Sequence, residues 1–176
     1  CFEQSWDFKG NPLVTLGKAN LKDALHHQIQ TNKELVSEVS RLEKRLNEIF
    51  IDVYSLNQIL TPEVPISQIT LSANNTYRYA KDGGDTSGRV KSDLVCELTF
   101  YSIGCMMGRY SLDLDGLVYA NSHNEGFKDL VTDDAYKTFP SDDDGIVPLA
   151  SEDWLFGDDA TARFREFIKT VWGEEH

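Results

Sequence analysis

Apolar residues at Leu21, Leu25, Leu35, Val39, Leu42, Leu46, Ile49, Val53, Leu56 and Leu60 fall on one ladder of alternating four- and three-residue steps, with Gln28 and Asn32 on its two polar rungs. A heptad seam of this kind predicts a long helix over 18–60 that packs along a partner helix. Forty residues at about 1.5 Å each span roughly 60 Å, longer than a globule of this size needs. Thr31-Asn32-Lys33-Glu34 has the form of a capping box, so a restart near residue 31 stays open beside the expected continuous helix. Thr61-Pro62 and Pro65 stop the pattern, because proline lacks the N–H and restricts the residue before it.

Before the seam, residues 1–17 read as an extended lead-in punctuated by Gly10, Pro12 and Gly17, with Trp6 and Phe8 as anchors. After it, 61–91 reads as a linker with a mobile loop over 72–91, and Ile66 to Leu71 as one candidate short strand. Ser92 is placed to cap a second helix, apolar on almost every side through Met107, which predicts a central core helix. Within it, Gly104 and Gly108 form a smooth strip for close packing inside the molecule. Residues 111–158 look irregular, and a last helix from about Asp159 to Trp172 has an acidic cap and Gly173 at its end. The expected fold is mainly α: a long heptad-patterned helix plus a small helical domain over 92–176 with a buried central helix and one candidate β element.

The charge changes this picture locally. The chain carries 17 Lys and Arg against 29 Asp and Glu, a net of −12. Residues 111–160 hold 13 acidic residues and 2 lysines, leaving the remainder nearly neutral. That segment is a poor match for a phosphate backbone. Three cysteines (Cys1, Cys96, Cys105) form no metal-type cluster or disulfide framework and suggest a reducing, cytoplasmic setting. No run reaches the length of a membrane span, so no membrane partner is expected. The chain opens at Cys1-Phe2-Glu3-Gln4 without a Met, and the expectation is an excised piece of something longer.

Catalytic patterns fail on spacing. An EF-hand counted from Gly145 puts Pro140 at position one and Ser151 at twelve, and counting from Gly116 fails the same way. His26, His27, His123 and His176 show no zinc pattern, and neither a nucleophile elbow nor a phosphate-binding glycine loop is present. Asn11-Pro12-Leu13 lacks the second proline and the aromatic residue with which adenine methyltransferases stack a flipped base. The chain is thus expected to hold no catalytic residue, no metal and no cofactor of its own. Arg109, ahead of Asp113 and Asp115, is expected to tie the helix end to a carboxylate.

Several stretches in order are more specific than any single motif. Phe2-Glu3-Gln4-Ser5-Trp6-Asp7-Phe8, Leu46-Asn47-Glu48-Ile49-Phe50-Ile51-Asp52-Val53-Tyr54, Leu60-Thr61-Pro62-Glu63-Val64-Pro65, Tyr101 to Asp113, Gly116 to Ala120 and Ile146-Val147-Pro148-Leu149 together resemble the BREX phage-defence adenine-specific DNA methyltransferases of the PglX type. The resemblance implies a region C-terminal to the catalytic domain that binds S-adenosylmethionine, in an N6-adenine enzyme related to restriction-modification proteins. It implies DNA as the partner of the parent enzyme, and contacts with the remaining domains of the same polypeptide.

Two roles follow. In one, the chain is a helical scaffold on the specificity side of the enzyme. In the other, it is a docking module whose seam meets another defence-system subunit or, by self-association, a second copy. A seam from Leu35 to Leu60 covered by the same chain points to the scaffold, and an exposed one points to docking. The loop carrying Arg78, Lys81, Arg89 and Lys91 is locally basic, and those four residues are the candidate DNA-backbone contact in the intact enzyme.

Overall fold

In a computed structural model of the chain, residues 3, 5–79, 87–149 and 158–174 are described, and among them there are six α-helices, two 3-10 turns and no β-strand. The helices are α1 (Pro12–Thr15), α2 (Leu21–Val53), α3 (Asn75–Arg78), α4 (Ser87–Met106), α5 (Phe127–Thr132) and α6 (Ala160–Trp172). The chain divides into two units, Leu25–Asp93 and the combination of Cys1–Ala24 with Leu94–His176.

The expected long helix is present as α2. Asn20 starts it by accepting from the Asp23 N–H while its amide donates to the Asp23 carboxylate. The helix runs through residue 31 without a restart, and the Glu34 carboxylate accepts from Gln30, one turn back. The two polar rungs of the ladder bond to each other, Gln28 Nε2 donating to Asn32 Oδ1 at 2.9 Å.

Termination comes earlier than the prolines predict. Ser55 adopts a left-handed φ of 57°, the Ser55 N–H donates to Asp52 O and the Leu56 N–H to Ile51 O at 2.8 Å. This is a Schellman stop, in which the left-handed residue's own amide and the next one satisfy the last carbonyls. Because the stop uses Ser where Gly is usual, no sequence signal marks it.

Beyond the stop, unit Leu25–Asp93 folds its returning chain onto one side of α2. Asn47 donates to Pro62 O, Lys44 pairs with Glu63 at 2.9 Å, and Ile51 is buried. Ile66–Gln68 is a 3-10 turn and not the candidate strand. Asn74 fixes the next corner: buried, it caps α3 through Tyr77 N and donates to the carbonyls of Ile66 and Ile69.

The other unit is built on the second half of α4, which begins five residues before the expected cap. Leu94, Leu98, Tyr101, Ser102, Cys105 and Met106 are buried, but Val95, Cys96, Phe100 and Met107 are exposed. The helix therefore buries one stripe and is not the fully enclosed core helix its composition predicts. Its end is a second Schellman stop: Gly108 takes φ +70°, its N–H donates to Cys105 O, and the Arg109 N–H donates to Gly104 O. The expected close packing at the glycine strip is present, made by Tyr110 folding over Gly104 and Phe127 over Gly108.

Around this helix the core is aromatic. Tyr101 stacks on Tyr110 and meets Phe8 and Phe167 edge to face, and Phe167 meets Phe139 at 89°. Phe8 anchors the lead-in as expected, joined by buried Leu13 of α1, whereas Trp6 is fully exposed. Much of the irregular acidic segment is core by its aromatics. Phe127, Ala135 and Tyr136 form a buried cluster, and the Tyr136 hydroxyl donates to Gly108 O at 2.6 Å. At α6, Asp159 caps the start through Ala162 N and Gly173 ends it, both as the sequence predicts.

Candidate functional site

Two of the four predicted basic residues converge on one tyrosine. The guanidinium of Arg78, at the end of α3, lies 5.4 Å from the Tyr79 ring centroid, and that of Arg89, in the first turn of α4, lies 5.0 Å from it. Both distances are within cation–π range. The Tyr79 hydroxyl donates to Asp93, which also pairs with Arg78 at 3.3 Å. The hydrogen bond to Asp93 holds the Tyr79 proton above the usual phenol range. Arg78 is thus committed to a local carboxylate, while Lys91 is exposed on α4. Lys81 lies outside the described residues.

The charge pattern alone places all four residues on one loop. In the structure Arg89 and Lys91 ride on a helix, so their spacing is fixed. Tyr79 and Asp93, which organise the cluster, carry no sequence signal of that role, since neither residue type marks a site without its neighbours. Elsewhere in the same unit, an open groove of about 270 Å³ runs between α2 and the following segment, lined by Ile29, Asn32, Val36, Ile66, Asn74 and Val90.

Arg109 departs from expectation. Asp113 spends its carboxylate on the backbone N–H and hydroxyl of Thr138. The Arg109 guanidinium instead lies 5.9 Å from the Tyr110 ring centroid.

Groups that could do chemistry are used for folding. Asn11 of the Asn-Pro-Leu stretch caps α1 by accepting from Leu13 N. Burial pushes the Cys105 thiol up to about 12 and the Tyr101 hydroxyl well above the usual phenol range. Both are acids kept neutral by the fold, so the unfolded chain releases their protons first. The Cys105 contribution is complete below the unfolded thiol value of about 8.5 and is lost as pH rises towards about 12, and the Tyr101 contribution starts to fall only above the unfolded phenol value of about 10. Urea melts at rising pH are expected to show falling stability across that window, with Cys105 slow and Cys96 fast towards alkylating reagents. Equal alkylation rates would contradict the buried placement.

The heptad ladder is an exposed apolar surface. Leu35, Leu42, Leu46, Ile49, Val53 and Leu60 are all exposed, Val53 at 71%, with Phe50 and Tyr54 stacked beside them at 6.4 Å between centroids. Within the unit Leu25–Asp93, the described residues leave these six ladder positions open, while Val39 and Leu56 are half-buried. Among the described residues no helix is long and apolar enough to cross a membrane.

No family model matches the chain. It is 43% identical over 177 residues to the adenine-specific methyltransferase BrxX of Escherichia coli O9:H4 (strain HS), covering 99% of this chain and 14% of that protein. It is 33% identical over 188 residues to the adenine-specific methyltransferase PglX of Lacticaseibacillus casei (strain Zhang), covering 99% of this chain and 13% of that protein. Along nearly its whole length, the chain is homologous to one limited region of the BrxX and PglX adenine-specific methyltransferases.

Proposed function

We propose that the chain is a non-catalytic helical scaffold on the specificity side of an adenine-specific (N6) DNA methyltransferase of a phage-defence or restriction-modification system. The carrying observation is the alignment: 43% identity runs across 99% of the chain but meets only 14% of the relative. In this reading S-adenosylmethionine is bound by other parts of the enzyme, and DNA is met through the whole polypeptide. The internal use of Asn11, Tyr101 and Cys105 supports it. Calorimetric titration of the chain with S-adenosylmethionine is expected to give no binding heat. Stoichiometric binding would overturn the assignment.

Within that enzyme, Arg78, Lys81, Arg89 and Lys91 contact the DNA backbone. Replacing all four with Ala in the full-length enzyme is expected to weaken DNA binding uniformly across sequences and to lower the salt slope by about one for each phosphate no longer neutralised. An unchanged slope removes this surface from the interface.

The exposed seam favours a second reading, a docking module that meets another subunit of the same defence system or a second copy of the chain.

A further inference from the structure

Tyr79 is held at both ends. Its N–H donates to Asn75 O at 2.9 Å, closing α3, and its hydroxyl donates to the Asp93 carboxylate on α4. The helix that leads into it is itself pinned, because buried Asn74 caps α3 and donates to the carbonyls of Ile66 and Ile69. A ring tied through its backbone on one side and its phenol on the other is a fixed platform, and all of these residues belong to the unit Leu25–Asp93.

Two cations share that platform. The guanidinium carbons of Arg78 and Arg89 lie 5.4 and 5.0 Å from the ring centroid, so they are at most about 10 Å apart. Left to themselves, two neighbouring arginines repel and spread over many rotamers. Here the negative face of the ring attracts both, and Asp93 meets Nη1 of Arg78 at 3.3 Å. With one carboxylate against two guanidinium groups, the cluster stays positive, and both arginines are exposed.

We propose that Tyr79 is a positioning residue for DNA, its ring aiming the Arg78 and Arg89 guanidinium groups together at one stretch of the phosphate backbone. The proposal rests on the reading of those two arginines as DNA contacts. Phosphates recur about every 3.4 Å of axis along a strand, so cations this close meet neighbouring charges of the same stretch. Contact with a ring uses the flat of a guanidinium, whereas a phosphate is met by its N–H edge. The two contacts are therefore compatible. An arginine already resting on a ring gives up less side-chain freedom when it binds, and a surface cation–π contact is worth a few-fold in an equilibrium constant.

Tyr79→Leu tests this without altering charge. Binding of the full-length methyltransferase to a random-sequence DNA duplex is measured at fixed salt for Tyr79→Leu, for Tyr79→Phe, for Arg78→Ala with Arg89→Ala, and for that pair combined with Tyr79→Leu. Tyr79→Leu is expected to weaken binding about threefold to tenfold. Tyr79→Phe keeps the ring and loses only the bond to Asp93, so it should recover most of that loss. Once both arginines are gone, Tyr79→Leu should have no further effect, because the tyrosine acts through them. Thermal melting checks that each variant folds, and should Tyr79→Leu not fold, Tyr79→Met takes its place in both backgrounds.

Wild-type affinity in Tyr79→Leu, beside weaker binding by the arginine pair, overturns the positioning role and leaves the DNA contact standing. Equal losses from Tyr79→Leu with and without the arginines overturn it as well, since the tyrosine then acts through something else. A Tyr79→Phe loss as large as that of Tyr79→Leu assigns the effect to the hydroxyl and overturns the role of the ring. Unchanged binding by the arginine pair sinks the DNA contact itself, and this inference with it.

Discussion

Gly108→Ala is expected to destabilise the Leu94–His176 portion of the fold by about 2–4 kcal/mol, a large share of the stability of a small domain. Two costs coincide at this position. The φ of +70° is one that L side chains rarely adopt, which costs Ala about 1 kcal/mol relative to Gly. A Cβ there would also lie 2.6 Å from Phe127 Cζ, in a cluster closed by Tyr136, and overpacking a filled core costs about 1–3 kcal/mol. Neither cost relaxes easily, because the Tyr136 hydroxyl holds the Gly108 carbonyl in place. Gly88→Ala is the control. Gly88 lies near the start of the same helix with nothing within 4 Å of an added Cβ, so Ala should be neutral or stabilising by up to about 1 kcal/mol. Urea denaturation of the two variants checks the contrast. A Gly108→Ala midpoint matching wild type would mean that the stop at the end of α4 is not rigid.

The glycine pair also shows how the sequence is legible here. Spacing of four residues on an apolar helix predicts close approach, and close approach is what Gly104 and Gly108 provide. What spacing cannot convey is the object that approaches. Tyr110 and Phe127 come from segments with no periodicity, and they reach the glycines only because the Schellman stop reverses the chain between Met106 and Tyr110. The same limit explains the acidic segment. Its charges are written locally, but its core residues Phe127, Tyr136 and Phe139 are separated by polar stretches, so no period marks them. Helix α2 is legible as a long helix because its periodicity is a local property. The stripe that its own unit buries is not, since Ile29, Asn47 and Ile51 are recruited by a return that begins at an unmarked left-handed serine. In the candidate site, the basic residues are legible from charge. The tyrosine between Arg78 and Arg89 is not, because residues 78, 79, 89 and 93 meet only after α3 and α4 are placed.

Phe167→Ala and Phe100→Ala should differ by most of the value of a buried ring. Phe167 of α6 is fully buried, edge to face with Tyr101 at 6.3 Å and with Phe139 at 5.3 Å. Truncating it removes the aromatic packing that joins α6 to α4, and the expected loss is about 3–5 kcal/mol. Phe100 is on α4 itself but is 66% exposed, so its truncation should move stability by no more than about 0.5 kcal/mol in the isolated chain. Thermal or urea unfolding of the two variants separates them, and similar losses would show that the exposed side of α4 is packed in solution. The small expected effect of Phe100 has its own meaning. Phe100, with Met107 just past the helix end, leaves an apolar surface on α4 that its own unit does not need, as the ladder does on α2. If the chain works inside a larger methyltransferase, truncating Phe100 should destabilise the full-length enzyme more than the isolated chain. An equal effect in both would confine α4 to a role inside its own unit.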